Sequence, residues 1–203
     1  MNRKRKTWAL MLALVLCVNT AALATATPSK TIEDIVPAEV IELTTSKVVV
    51  GLSQAFIVYV TKPTSNWNTD LEAIADLVTN KKQAPIDYFT DKLSNVEAAK
   101  LPTINLQSFE MNEFIPISAV NYSTEYGDVT TSFKFLTPYT DGQTIFALAS
   151  IYTMDINTDV WTTEWFVFPA VVSGGLVRVT FSSEYVLKLE KGHGSLAILS
   201  QPF

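Results

Sequence analysis

The residues able to do chemistry are few, and most of their groupings are incomplete. His193 is the only histidine in 203 residues and stands between Gly192 and Gly194. A lone imidazole can serve as a general base or a metal ligand. A zinc site built on it would need three carboxylates, an unusual set for that ion. Flanking glycines instead predict an exposed turn before the last strand. No G-x-S-x-G elbow is present to aim a serine, so a Ser-His-Asp arrangement lacks its usual scaffold. Asp155-Ile156-Asn157-Thr158-Asp159 has the D-x-N-x-D spacing that gathers side-chain oxygens around calcium. Asp155, Asn157 and Asp159 are therefore a calcium candidate. The EF-hand continuation is missing, however, with Val160 where glycine is needed and Phe166 where the bidentate glutamate belongs, and a hairpin turn uses the same residues without an ion.

Aromatic side chains offer a different chemistry. Along Val160 to Phe168, Trp161, Trp165 and Val167 share one pleat direction while Thr162, Glu164, Phe166 and Phe168 share the other. Rings therefore occur on both faces. One face must cover a core; the other either packs beneath a neighbouring element or is exposed, where indoles can stack on sugars or anchor a protein. Trp67, just before a predicted helix, could extend such a surface or staple that helix's start. The candidate ligand-binding set is thus Trp67, Trp161 and Trp165, with core packing as the competing reading. The 20 acidic residues offer many carboxylate pairs for a small hydrolase, but their spacing does not distinguish catalytic pairs from a solvated surface. The balance favours a non-enzyme, and no cofactor is expected.

The elements that position these residues are mostly strands. Val40 to Val50 and Ser53 to Lys62 are rich in β-branched and aromatic residues and meet at Gly51-Leu52, which predicts a hairpin or two adjacent strands. In the second run Ala55 to Val60 is apolar at every position, as in a strand covered on both faces. The period then changes. Thr69-Asp70-Leu71-Glu72 is a capping-box pattern, and Leu71, Ile74, Ala75 and Val78 follow at helical spacing, predicting a helix from about Asp70 to Thr79. Pro85 opens a second helical segment toward Lys100, and Pro102 ends it.

From Asn112 the chain reads as strands again: near Glu113 to Asn121, Val129 to Tyr139, Gln143 to Met154, Val160 to Val172, Leu176 to Ser182 and Ser195 to Ser200. Gly127-Asp128, Asp141-Gly142, Asn157-Thr158-Asp159 and Gly174-Gly175 supply turn chemistry between them. Ser183 can cap one short helix carrying Tyr185, Val186 and Leu189, with Gly192 as its stop.

The N-terminus has the three parts of a secretory signal: basic Arg3 to Lys6, an apolar run from Trp8 to Val18, then small residues. The run is too short for the roughly 20 residues of a spanning helix. Cleavage after Ala24 or after Ala26 fits, and Cys17 admits a lipoprotein, although Leu16 before it is larger than that processing prefers. Cys17 is the only cysteine, so a cleaved chain has no disulfide or thiolate. The formal charge of −5 also includes the leader. Without its four basic residues, 11 basic side chains remain against 20 acidic ones, about −9. That surface is unsuited to nucleic acid and to anionic membranes.

The stretches Asn112 to Tyr152, Trp165 to Phe181 and Gly194 to Ser200 resemble uncharacterised secreted proteins of Gram-positive bacteria that carry an immunoglobulin-like or fibronectin-type-III-like module. The resemblance lies in strand pattern and turn placement over roughly the last 90 residues; it implies an extracellular sandwich and brings no catalytic residues. The expected fold is mainly β with a helical pair (α+β): signal peptide 1–24, linker 25–36, a small α+β portion 37–111 and an Ig-like antiparallel β-sandwich 112–203. The expected role is an exported, non-catalytic module, secreted and in part cell-surface associated, that binds an extracellular protein or glycan. A carbohydrate-binding module with an aromatic platform is the alternative, and a small carboxylate-dependent hydrolase a more distant one. Nucleic acid is not an expected partner, nor is the membrane once the leader is removed. Asn121-Tyr122-Ser123 is a glycosylation sequon that a bacterial source leaves unused.

Overall fold

In this computed structural model the described residues are 38–47 and 57–202. The expected leader and linker, Cys17 included, lie outside them. The described elements run β1 (Glu39–Thr45), β2 (Ile57–Val60), α1 (Ser65–Thr79), α2 (Pro85–Thr90), α3 (Asn95–Ala98), β3 (Glu110–Val120), β4 (Val129–Lys134), β5 (Ile145–Asp155), β6 (Val160–Phe168), β7 (Ala170–Ser173), β8 (Leu176–Phe181), α4 (Ser183–Lys191) and β9 (His193–Ser200). The fold is mainly β. Two antiparallel sheets, ordered β1-β4-β8-β7 and β2-β3-β9-β5-β6, form a sandwich-like body with short helices.

The first two strands do not form a hairpin. β1 pairs with β4 and β2 with β3, so they enter different sheets. Strands from 37–111 thus share both sheets with strands from 112–203, and all described residues fall within one compact unit. β2 is an edge strand with Val58 buried and Tyr59 exposed, where coverage on both faces was expected; Ala55 and Phe56 lie outside the described residues. Its ladder ends at Pro116 of β3. The Thr61 amide donates to the Pro116 carbonyl at 3.0 Å, and on that same side proline has no N–H to return.

Local capping explains the helix boundaries. Thr64 Oγ1 accepts from the Trp67 amide at 3.2 Å, so α1 begins upstream of the predicted capping box. Thr69 lies inside the helix and returns its hydroxyl to the Ser65 carbonyl. The earlier start brings Trp67, Asp70 and Ile74 onto one buried stripe at i, i+3 and i+7 spacing. The segment opened by Pro85 is two helices, because Ser94 caps α3 through the Glu97 amide. The interruption lets Leu93 form a β-bridge to Trp165. Pro169 likewise divides the predicted Val160 to Val172 strand, and the chain passes there from the five-stranded to the four-stranded sheet. The strand from Val129 stops at Lys134 rather than Tyr139, and Phe135 and Tyr139 turn into the core.

Between the sheets lies the larger core. β5 contributes Ala147, Ala149 and Ile151, β9 Leu196 and Ile198, and β8 Val177, Val179 and Phe181. α4 inserts Tyr185, whose ring lies 4.8–5.3 Å, centroid to centroid, from Phe166, Phe168 and Phe181. Ser182 rather than Ser183 caps this helix, through the Tyr185 amide, and Gly192 follows its last residue as predicted. Gly194 marks a close crossing: a Cβ there would overlap the Ser150 carbonyl and lie 3.1 Å from Tyr185 Oη.

The opposite face of the five-stranded sheet carries α1, α2 and α3. Trp67 stacks on Phe114 at 5.5 Å, Phe109 meets Phe146 at 5.4 Å, and Trp165 meets Phe89 edge-on at 4.9 Å. The central strands are therefore buried on both faces, which accounts for the unbroken buried run from Ile145 to Tyr152.

Candidate interaction surface at the β5–β6 hairpin

β5 and β6 pair in unbroken register from Ala147 opposite Phe168 to Asp155 opposite Val160. Their connection is the Asp155 to Asp159 segment. Asp155 Oδ1 accepts from the Asn157 amide at 2.9 Å, the Asp155 carbonyl accepts from the Asp159 amide at 2.9 Å, and Asp159 takes φ +53°. The three oxygen-bearing residues considered for calcium thus form the hairpin turn. The Asn157 amide and then the Thr158 hydroxyl hold the Asp155 carboxyl below the ordinary carboxylate range. Among the described residues no group of three or more His, Cys, Asp or Glu side chains converges as metal ligands.

Every residue from Thr153 to Glu164 is exposed. Four are large and apolar: Met154 at 42% exposure, Ile156 at 80%, Val160 at 55% and Trp161 at 47%. Met154 and Trp161 face each other across the ladder. Single exposed apolar residues are ordinary on protein surfaces, whereas a cluster within one hairpin is the pattern of a contact site. Asp155, Asp159 and Glu164 accompany them, with no basic residue between Thr153 and Glu164. Glu164 is bridged by Lys188 at 2.8 Å.

The three-indole platform is not formed. Trp67 is 1% exposed and Trp165 3%, both beneath the helical layer, and only Trp161 reaches solvent. Trp161 and Trp165 have the same pleat direction, so the difference comes from what covers the strand. α2 and α3 end over Trp165. There the Glu97 carboxylate, itself buried, accepts from the Val167 amide at 2.8 Å and from Lys100 Nζ at 2.5 Å.

Beneath α1 a second polar group is enclosed. Asp70 accepts from Tyr88 Oη at 2.5 Å and from Tyr152 Oη at 2.7 Å, joining α1, α2 and β5. Burial, reinforced by the Asp70 carboxylate, pushes both phenols well above the usual tyrosine range. Next to Tyr152 on the same pleat, Ser150 and Ser195 share a buried hydroxyl contact of 2.7 Å. Sequence reasoning missed Asp70 and Glu97. The available signal was Asp70's position three residues after Trp67 and four before Ile74, within an apolar stripe. His193 is exposed at the first position of β9. A groove of about 320 Å³ near Lys100 is lined by Phe146, Val167, Phe168 and Pro169.

These features define an α+β protein in which a five-stranded sheet is sandwiched between a four-stranded sheet and a helical layer, with an apolar, acidic hairpin extending past that layer. No protein-family profile matches the chain, and comparisons with curated proteins and with solved structures found no match.

Proposed function

We propose that this protein is an exported, non-catalytic interaction module that binds a protein partner through the tip of the β5–β6 hairpin. The observation that carries the reading is the concentration of Met154, Ile156, Val160 and Trp161 on an exposed hairpin. A lone accessible indole set among aliphatic side chains suits a protein contact, where one aromatic anchor surrounded by smaller apolar groups is common. A sugar platform relies on flat stacking surfaces, and Trp67 and Trp165 cannot supply them while buried. Export rests on the basic leader and apolar run of the sequence. The non-catalytic part is supported by the buried carboxylates. Asp70, Glu97 and Glu113 accept hydrogen bonds from Tyr88 and Tyr152, from Val167 and Lys100, and from Thr137 respectively.

The test is a pull-down from extracellular and cell-surface proteins beside a glycan array, using the leaderless parent and Trp161→Ala. Capture of a protein by the parent and its loss in the variant is the expected result. Equal capture by both overturns the hairpin as the contact, and a glycan signal lost in the variant favours the carbohydrate reading instead.

A further inference from the structure

The two sheets have four outer strands, β1, β7, β2 and β6. An exposed edge strand presents unpaired amides and carbonyls that template pairing with another chain, and folds ordinarily blunt such edges. Three are blunted here. β1 carries a register shift between Val40 and Glu42. The described part of β2 stops at its C-terminal end, where Pro116 offers no amide. β7 has four residues and is entered through Pro169. β6 has nine, and its protection covers only the second half: Leu93 bridges to Trp165, and Glu97 accepts the Val167 amide. From Val160 to Glu164 the strand is regular, contains no proline or lysine, and is exposed at every residue, with Lys188 reaching only the Glu164 side chain.

The orientation of the free backbone follows from Val167. Its amide points away from β5, toward Glu97. In an antiparallel ladder the outward backbone groups recur every second residue, so Trp165, Thr163 and Trp161 also turn theirs outward. Leu93 occupies Trp165. Thr163 and Trp161 keep an outward amide and carbonyl each, beside the exposed indole of Trp161 and the acidic turn of Asp155 and Asp159.

We infer that the free half of β6, Val160 to Glu164, accepts an extended segment of a partner protein as an added β-strand, the segment carrying alternating apolar and basic residues. This deepens the hairpin reading above and rests on it. Backbone pairing supplies the affinity, as in other strand-addition complexes. An apolar side chain of the incoming segment meets Trp161, whose other side faces Met154 across the ladder, while long basic ones reach toward the acidic turn at Asp159. A second copy of this chain fits less well, because it brings the same acidic turn and a net charge of −5 or below.

The probe is a short peptide alternating lysine and valine, compared with its glutamate-for-lysine version and with a copy N-methylated on alternate residues, titrated into isotopically labelled protein and followed by amide NMR. The lysine peptide should shift the Trp161 and Thr163 amides, and the other two should bind at least about tenfold more weakly. Thr163→Pro removes an outward amide that the sheet does not use, so it should retain the circular dichroism of the parent and bind the lysine peptide about tenfold more weakly. Absence of amide shifts, or equal binding by the N-methylated peptide, overturns the inference; the peptide comparison decides even should Thr163→Pro fail to fold. The same amides shifting with protein concentration alone also overturns it, in favour of a second copy. Peptide binding lost in Trp161→Ala but intact in Thr163→Pro would leave the hairpin contact standing and remove the strand pairing.

Discussion

Tyr152 Oη donates to Asp70 Oδ2 at 2.7 Å, joining β5 of the five-stranded sheet to the first helix across 82 residues of sequence. Tyr88 donates to the other carboxylate oxygen, so one buried group aligns three elements. Asp70→Ala leaves two buried hydroxyls without their acceptor, at about 1–3 kcal/mol each. Urea unfolding should show a loss of about 2–6 kcal/mol, with Tyr152→Phe costing less than half of that.

High pH should destabilise the protein through the same region. Tyr88, Tyr139, Tyr152 and Tyr185 are all raised above the ordinary tyrosine value, burial being the leading cause in each. A raised folded value means that the folded state keeps its protons when the unfolded chain begins to release them near pH 10. The stabilisation is complete below about pH 10 and declines as pH rises beyond it. Urea midpoints measured from pH 8 to pH 11.5 should be flat at first and then fall. Phenolate absorbance of the native protein should account for fewer than the seven tyrosines until unfolding releases the rest.

Glu97 protects half of an edge strand. Replacing it with alanine frees the buried Val167 amide and should cost about 1–3 kcal/mol, whereas Glu97→Gln retains an acceptor and should cost less. Hydrogen exchange is the sharper readout: the Val167 amide should exchange faster in Glu97→Ala, with the β5–β9 ladder unchanged.

Two tryptophans four residues apart should respond in opposite ways. Trp165→Ala empties a ring-sized space beneath α2 and should cost about 3–5 kcal/mol. Trp161→Ala should stay within about 0.5 kcal/mol of the parent. Parallel thermal and urea melts of the two variants check this and establish Trp161→Ala as a clean binding probe.

Gly194→Ala should destabilise by about 1–3 kcal/mol or more, because the added methyl meets a carbonyl oxygen fixed within the β5–β9 ladder. A loss confined to a few tenths would mean that this crossing relaxes easily.

Much of the secondary structure was legible along the chain. Alternation at Val177, Val179 and Phe181, and turn chemistry at Asn157 to Asp159, located strands and the hairpin correctly because those signals are local. Local signals also misled where two competed. Thr64 and Thr69 are both acceptable caps, and the longer helix prevailed because it buries Trp67 against Phe114. The first two strands looked like a hairpin or an adjacent pair, and the hairpin failed because nothing local records which sheet a strand joins. Asp70 was read as part of a capping pattern because its partners, Tyr88 and Tyr152, are distant in sequence.

By itself the sequence determined the acidic balance, the basic N-terminal stretch and the apolar run after it, the absence of cysteine after position 17 and the strand-rich pattern with rings on both faces of Val160 to Phe168. Only the tertiary structure decided which of those rings meets solvent. Trp161 and Trp165 share one strand and one pleat direction, and the helical layer stops between them. Burial depends on what the rest of the chain lays over a residue, and that covering comes from Leu93 and Glu97, about 70 residues away.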